Sequence, residues 1–311
     1  MEGKGIMRDK LSKQKEKFLE YIKSSGKFSE NTVSSYNNDV EKFLNFLRSE
    51  KINDLTKADE KVALRYYEKL KKELKDRSVM RNLSSLRKFY DFLRELGSVK
   101  MNSNPFKCIK HESKEKEEPR VLNIAEISKF FRSLGTGSFL DSRDRAMILF
   151  IYGTGLRASE VAEAKINRLD LENAVYVLKT GKNKKVVPFS KRIVPALRDY
   201  IEYRNKLLKK AGIKKYQNRF LFINIRGERI TRQTVYIVVQ KRAEIAGLGK
   251  NVTPSVLRNS LAFHLLGSGT SGEVVKEFLR YTTLLPKYER IPNFSRTKFE
   301  YLSTHPAFKK R

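Results

Sequence analysis

The sequence predicts a mainly α-helical protein with a small antiparallel β-sheet, divided into two domains. A length of 311 residues is enough for two domains. In the first third, apolar residues recur at three- and four-residue steps. In the second half, two short apolar segments flank a basic turn, which is typical of a hairpin. We therefore expect an N-terminal helical bundle followed by an α+β domain.

Residues 11–97 carry only helical patterns, and we expect four helices there. The markers, in chain order, are Phe18 with Leu19 and Ile22; the cap Ser29 with Val33, Tyr36, Val40, Phe43, Leu44 and Leu47; Val62 with Tyr66 and Leu70; and Ser78 with Leu83, Leu86, Phe89, Tyr90 and Leu93. Gly97 is expected to end the fourth helix. The outer faces of this bundle are rich in lysine.

The stretch "KHESKEKEEPR" (residues 110–120) is charged and has no apolar periodicity, which indicates a linker. The prediction therefore places a helical domain at residues 1–109, a linker at 110–120 and a second domain with a C-terminal tail at 121–311.

The second domain is expected to be mostly helical around a small sheet. A helix follows the cap Asn123, and a buried helix spans Ala146–Tyr152 before a Gly-Thr-Gly break. The segments "AVYVL" and "KVVPF" form a hairpin around "KTGKNKK", and "RFLFINI" (219–225) is predicted to be a further strand. A later helix ends at Gly247.

The charge balance predicts a polyanionic partner. Lys and Arg number 66 against 35 Asp and Glu, a formal net charge of +31. A lysine-rich thermophile surface would carry matching glutamate. Double-stranded DNA is therefore the expected partner, and RNA is less favoured because the sequence lacks the aromatic-glycine signature of an RNA-recognition sheet.

Other function classes find no support in the sequence. No apolar run reaches membrane-spanning length and no signal peptide precedes the first helix, so we expect a cytoplasmic protein with no membrane partner. The one cysteine, Cys108, excludes an internal disulfide. The three histidines lack metal-ligand spacing and there is no P-loop pattern, so no metal or other cofactor is expected.

Arg258 is the most unusual charged residue of the sequence. It lies in the first turn of a helix that Thr253 caps and Pro254 opens, on the face that carries Leu261 and Leu265. A cation there faces the unfavourable end of the helix dipole, and burying it unpaired is costly. It needs an anion, either a buried carboxylate or a ligand.

Three further cations stand beside sharp turns. Arg157 follows the glycines of "GTGLRASEV", while Lys179 and Lys182 lie in the basic hairpin turn. Each has a structural alternative, since Arg157 can pair with Glu160 or Glu163 and the two lysines can be solvated.

Read together, these elements resemble the tyrosine recombinase (phage integrase) family. "GTGLRASE" is similar to the family's "ATGLRxSE", "KTGKNKKVVPF" to its strand-turn-strand with a turn lysine, and "TPSVLRNSLAFHLL" to its "TPHxLRHSFATHLL". The resemblance covers roughly residues 121–285, and the helical N-terminal half is similar to the family's core-binding domain, which clamps DNA.

The resemblance implies a tyrosine-recombinase-like catalytic domain that cuts and rejoins DNA at specific sites. A tyrosine would attack a phosphodiester and form a 3′-phosphotyrosyl link, with no metal or nucleotide. Arg157 and Arg258 would stabilise the transition state. Lys179, or else Lys182, would protonate the departing 5′-oxygen.

This chain departs from the family at several positions. Ser255 stands where the family has histidine, Asn259 where histidine is frequent, and Tyr281 where histidine or tryptophan is usual. The resemblance places the nucleophile near Tyr288, and Tyr301 is the alternative.

Two functions remain open at this point. One is a site-specific recombinase or integrase with an Xer-like layout. The resemblance to the family implies that such a protein assembles as a synaptic tetramer on DNA through its C-terminal tail. The other is a recombinase-derived DNA-binding protein that has lost catalysis, because the departures remove the residues that help a tyrosine to deprotonate.

Overall fold

The computed structural model describes residues 3–97, 104–111, 120–180, 183–214 and 218–281, with side chains from residue 11 onward except Thr180. The chain forms two compact units, Met1–Glu117 and Glu118–Arg311. In their described parts both are mostly helical, and three short strands form one antiparallel sheet in the second unit. The predicted fold class is confirmed. Most of the predicted linker, residues 112–119, lies outside the described residues.

The described part of the first unit contains four α-helices. They are α1 (Gly3–Ser24), α2 (Glu30–Ser49), α3 (Glu60–Glu73) and α4 (Asp76–Glu95). The predicted cap is present, since the Ser29 hydroxyl accepts a 3.2 Å hydrogen bond from the Thr32 N–H. The prediction that Ser78 opens the fourth helix is wrong. The backbone at Lys75 is extended and the helix begins at the next residue, Asp76. A carboxylate in the first turn interacts favourably with the helix dipole.

Aromatic side chains fill the core of the first unit. The ring of Phe43 meets Tyr66 and Phe106 edge-on, with centroids 5.0 and 5.1 Å apart. The buried carboxylate of Asp39 on α2 accepts hydrogen bonds from Arg81 and Ser85 on α4. This polar contact fixes the register of the two helices, because breaking it would leave a charge buried without partners.

The second unit has seven α-helices and three strands among its described residues. The helices are α5 (Ile124–Arg132), α6 (Phe139–Thr154), α7 (Ala158–Ala162), α8 (Val194–Lys210), α9 (Arg232–Ile245), α10 (Pro254–Gly267) and α11 (Gly272–Leu279). The strands are β1 (Leu169–Asp170), β2 (Val175–Thr180) and β3 (Asn183–Pro188), in the order β1-β2-β3. The predicted caps Asn123 and Thr253 are both confirmed.

Helix α6 is the centre of the second unit and packs against α8, α9 and α10. From Ala146 to Thr154 every residue of α6 is buried. The predicted buried helix is therefore longer than the sequence pattern indicated, with Ser138 as its cap. Because its neighbours surround it, α6 fixes the position of the turn that follows it.

The expected strand at residues 219–225 does not form. In the described chain this segment makes only isolated bridges, Lys165 with Phe220 and Ile223 with Arg229. Its backbone is held by a few backbone hydrogen bonds, such as that from the Leu221 N–H to the Ala164 carbonyl at 2.7 Å, and by side chains of α8. The buried guanidinium of Arg204 donates to the Phe220 carbonyl at 2.7 Å, and the Tyr200 hydroxyl donates to the Leu221 carbonyl at 3.0 Å. At these two carbonyls, side-chain donors take the place of the backbone donors that a continuous ladder would supply.

His264 on α10 is a core histidine. It is 4% exposed, and its Nδ1 lies 2.7 Å from the hydroxyl of Tyr152 on α6. Burial disfavours the charged imidazolium and lowers the pKa of His264 to about 4. Burial therefore keeps the ring neutral near pH 7, and the hydrogen bond with Tyr152 joins α10 to α6.

Acidification should therefore destabilise the second unit. Since the unfolded chain has a histidine pKa of about 6.5, it binds the proton more readily than the folded chain between pH 6.5 and 4. The free energy of unfolding should fall by about 2 kcal/mol between pH 7 and pH 5 because of this residue. Urea unfolding of wild type and His264→Gln at both pH values measures it. Equal pH dependence in the two proteins would contradict the assignment.

Candidate active site

The site is built around a sharp turn at the end of α6. Gly155 adopts the left-handed conformation (φ 59°, ψ 26°) and its N–H bonds to the Ile151 carbonyl at 2.9 Å. A Cβ atom at this position would overlap Cδ2 of Leu279 and lie 3.2 Å from Cδ2 of Leu261. Glycine therefore satisfies the backbone angle and lets the end of α11 pack directly onto the turn.

Arg258 lies beneath this contact. It is 5% exposed, and its two terminal nitrogens donate to the backbone carbonyls of Gly155 and Leu279. Of the two anions that the sequence left open, no carboxylate bonds to it among the described residues. Carbonyl dipoles do not neutralise a cation, so the guanidinium keeps its full charge.

The environment of Arg258 disfavours its charge. Burial lowers the pKa of Arg258 most, the neighbouring cations Arg157 and Arg280 lower it further, and Tyr281 opposes them. Arginine nonetheless stays protonated in proteins. A buried cation surrounded by other cations is costly for the folded protein unless an anion binds.

Tyr281 covers one face of this guanidinium. The Cζ atom of Arg258 lies 4.7 Å from the centroid of the Tyr281 ring, which is within cation–π distance. The Tyr281 hydroxyl donates to Oδ1 of Asn259 at 3.1 Å. Two positions that depart from the family pattern, 259 and 281, are therefore joined by a hydrogen bond.

Arg157 caps α7 on the other side of the glycine turn. Its backbone N–H donates to Oε2 of Glu160 at 2.6 Å and its Nη1 to Oε1 at 3.2 Å. Of the two possible partners, Glu160 binds Arg157, while Glu163 pairs with Arg229. The Arg157 side chain remains 50% exposed, so it is available to a ligand.

A third arginine, Arg280, joins these residues. Its Nη2 donates to Oε2 of Glu160 at 2.9 Å, and its carbonyl accepts from Nη2 of Arg157 at 3.2 Å. Sequence reasoning missed this residue. The signal was its place in "FLRYTT", where the family's "LLGHSS" has glycine. Two guanidiniums, those of Arg157 and Arg280, share the carboxylate of Glu160, and Arg258 adds a third cation nearby, so the positive charge is in local excess.

The hairpin approaches the same region through a lysine that sequence reasoning also missed. Nζ of Lys185 on β3 donates to the Glu277 carbonyl at 2.8 Å, near the end of α11. Lys179 is exposed on β2 and lies opposite Lys184 in the sheet register. The other candidate, Lys182, lies outside the described residues.

Of the remaining candidates, only Ser255 belongs to the described part of the chain. Ser255 is exposed in the first turn of α10. Tyr288, Tyr301 and the rest of the C-terminal tail lie outside the described residues. The described residues include no cluster of histidine, cysteine and carboxylate groups arranged to hold a metal ion. None of the described helices combines the length and apolar character that crossing a membrane requires.

Two family models match the sequence in the order of the two units. Residues 16–97 match the N-terminal SAM-like domain of phage integrases, and residues 114–284 match the phage integrase family. The chain belongs to the phage integrase family. The glycine turn, Arg157 and Arg258 of this integrase-family chain all lie within the second match.

Curated relatives of this integrase-family chain are tyrosine recombinases. It is 34% identical to XerC of Oceanobacillus iheyensis, over 86% of this chain and 87% of the relative. It is 32% identical to the putative tyrosine recombinase TTE1313 of Caldanaerobacter subterraneus, over 85% and 88%. It is 30% identical to XerD of Listeria innocua, over 86% and 89%. The chain is thus similar to recombinases of both Xer types.

Solved structures share the fold. The XerH site-specific recombinase bound to a palindromic difH substrate has a TM-score of 0.68 at 22% identity, covering 81% of this chain and 73% of that one. A lambda integrase dimer bound to a COC′ core site has a TM-score of 0.64 at 16% identity, covering 88% and 95%. At these identities the likeness concerns the fold alone.

The contact between Gly155 and Leu279 should be the least replaceable part of the site. We expect Gly155→Ala to lower the unfolding temperature more than Gly212→Ala does. Both glycines have a positive φ (59° and 69°), but a Cβ at Gly212 meets no atom within 4 Å. The backbone strain is therefore matched, and the difference measures the overlap alone. Thermal unfolding of the two variants tests this, and equal losses would contradict it.

Proposed function

We propose that this chain is a site-specific DNA recombinase that cuts and rejoins DNA through a covalent 3′-phosphotyrosyl intermediate. The observation that carries the proposal is the convergence of Arg157 and Arg258 on the Gly155 turn, with more guanidinium than carboxylate charge. A phosphodiester is an anion that matches forked guanidinium donors. The phosphodiester also supplies the negative charge that is missing among the described contacts of buried Arg258.

Double-stranded DNA is the partner that best explains the net charge of +31. Fold relatives support this, since the XerH and lambda integrase structures contain DNA sites. We propose that the first unit, approximately residues 1–109, clamps DNA with its lysine-rich helices. The same proposal includes assembly of the protein into a synaptic tetramer on DNA. It also includes a cytoplasmic location, in association with the DNA.

The reaction needs no external energy. The hydroxyl oxygen of Tyr288 attacks the phosphorus atom, the bond from phosphorus to the 5′-oxygen breaks, and a 3′-phosphotyrosyl link forms. The tyrosine proton passes to solvent, and a lysine gives a proton to the departing 5′-oxygen. Attack by a 5′-hydroxyl from another strand reverses the step and releases the tyrosine. Each phosphodiester broken is replaced by another ester, so no nucleotide is consumed.

The arginines act on the charge that develops during this exchange. In the transition state negative charge grows on the non-bridging phosphoryl oxygens, and fixed donors stabilise it without reorganising. Arg258 is held in place by two carbonyls, and Arg157 is held by Glu160 and by the Arg280 carbonyl. The N-terminus of α10 also faces an anion bound beside Arg258.

A DNA-binding protein without cleavage activity is the second candidate, and one observation favours it. Ser255 occupies the position of the usual histidine and its hydroxyl is a poor base, so deprotonation of the tyrosine lacks that help. The arginines would still bind phosphate in this case. The two candidates differ in one product, a covalent complex between protein and DNA.

A covalent adduct should form on nicked duplex DNA. The probe is a library of random-sequence duplexes, each with a nick that lets the short fragment carrying the newly released 5′-hydroxyl diffuse away after cleavage. Wild type should yield complexes that survive denaturation in SDS, and sequencing them identifies the site. Tyr288→Phe should abolish the adduct, whereas Tyr301→Phe should retain it.

Each contrary result has a definite meaning. An adduct that survives in Tyr288→Phe and disappears in Tyr301→Phe would transfer the role of nucleophile to Tyr301. Binding without any adduct in wild type would contradict the recombinase proposal and leave the DNA-binding candidate.

The general acid can be identified by changing the leaving group of the DNA substrate. Lys179→Ala should slow cleavage about 10²–10⁴-fold on ordinary DNA if Lys179 protonates the 5′-oxygen. On DNA with sulfur at that bridging position the variant should regain nearly the wild-type rate, because a thiol with a pKa of about 8.5 departs without a proton.

Two variants control this experiment. Lys182→Ala tests the other candidate in the same way. If the sulfur substrate restores the rate of Lys182→Ala and not that of Lys179→Ala, the general acid is Lys182. Lys185→Ala should be equally impaired on both substrates, because the contact with the Glu277 carbonyl gives Lys185 a structural role.

A further inference from the structure

We infer that Arg280 is a positioning residue, which orients Arg157 and preserves the charge of Arg157 for the phosphate. The inference rests on the proposed function, because it concerns how the same site acts. It assigns a role to a residue that stands where the family pattern has glycine.

Arg280 supports Arg157 by two separate routes. Directly, its carbonyl accepts a hydrogen bond from Nη2 of Arg157 at 3.2 Å. Indirectly, its own Nη2 holds Oε2 of Glu160 at 2.9 Å, and the other oxygen of that carboxylate binds Nη1 of Arg157 at 3.2 Å. Both terminal nitrogens of Arg157 are therefore fixed, although half of its side chain is exposed.

The sharing of the Glu160 carboxylate between Arg157 and Arg280 also determines the net charge of the group. If Glu160 paired with Arg157 alone, the two charges would cancel and the attraction for phosphate would be small. Arg280 provides a second cation on Glu160, so the three groups together keep a net positive charge. The phosphate therefore meets an arginine that is both held in place and still attractive.

The backbone of Arg280 indicates that its side chain has a specific use. Its φ of 56° and ψ of 43° lie in the left-handed region, which side chains rarely adopt and glycine adopts freely. The side chain is also largely buried, at 16% exposure. Arginine at this position therefore strains the backbone and gives up hydration, and in return its side chain holds Glu160, whereas the carbonyl that Arg157 contacts belongs to the backbone.

Holding Arg157 beforehand should act mainly on the rate of cleavage. A half-exposed arginine loses rotamer freedom when it binds an anion, and prior anchoring reduces that loss. DNA affinity depends on many phosphate contacts and should change little when one of them is misplaced. The developing charge of the transition state requires correct donor geometry, so cleavage should be sensitive to it.

The test compares Arg280→Gly and Arg280→Lys with wild type on the recovered DNA site. Arg280→Gly should remain folded, because glycine suits the left-handed backbone. Its single-turnover adduct rate at saturating DNA should fall at least about tenfold while the Kd for DNA changes less than about threefold. Arg280→Lys, which keeps a cation beside Glu160, should recover part of the rate.

A double variant separates positioning from direct contact. If Arg280 acts through Arg157, then Arg157→Lys with Arg280→Gly should be no slower than Arg157→Lys alone. Multiplicative losses would show that Arg280 meets the phosphate itself and would overturn the inference. Lys51→Gly is the control for unfolding temperature, because Lys51 has the same left-handed conformation (φ 57°).

The remaining outcomes are also decisive. A wild-type rate in Arg280→Gly would overturn the inference and leave the proposed function intact. A fall in rate accompanied by an unfolding temperature far below that of wild type and Lys51→Gly would show a structural role only. Absence of an adduct in wild type would end the proposed function, and this inference with it, before any variant is compared.

Discussion

The buried guanidinium of Arg258, held between the carbonyls of Gly155 and Leu279, is the contact on which the rest of the site depends. Those carbonyls belong to the turn after α6 and to the end of α11, so one side chain joins three elements. The carbonyls orient the cation and leave its charge uncompensated. Such an arrangement is costly in the free protein, and an anionic ligand removes the cost.

The neighbouring residues follow from that contact. With α11 fixed on the glycine turn, Arg280 faces Glu160 at the start of α7, and Tyr281 lies over Arg258. A site designed for stability would place carboxylates among these arginines. Here, among the described contacts of the three arginines, Glu160 is the one carboxylate. The site therefore gives up some stability for affinity toward an anion, as functional sites commonly do.

Local patterns predicted much of this and missed what depends on tertiary contacts. The cap at Thr253 and the buried position of Arg258 follow from helical spacing, because capping and periodicity act within a few residues. The strand expected at 219–225 failed, because Arg204 and Tyr200 from α8 take its backbone bonds. Arg280 escaped notice because its bond to Glu160 joins residues 120 positions apart in the chain, which a local pattern does not report.

The central claim is that Arg258 meets the charge of the cleaved phosphate. The most direct measurement is equilibrium binding to the recovered DNA site with either the normal phosphate or an uncharged methylphosphonate at the cleaved position, for wild type and Arg258→Met. Wild type should lose affinity when that charge is removed, and Arg258→Met should lose clearly less, with the remaining loss due to Arg157. The same loss in both proteins would contradict the claim, because Arg258 would then not be the partner of that phosphate.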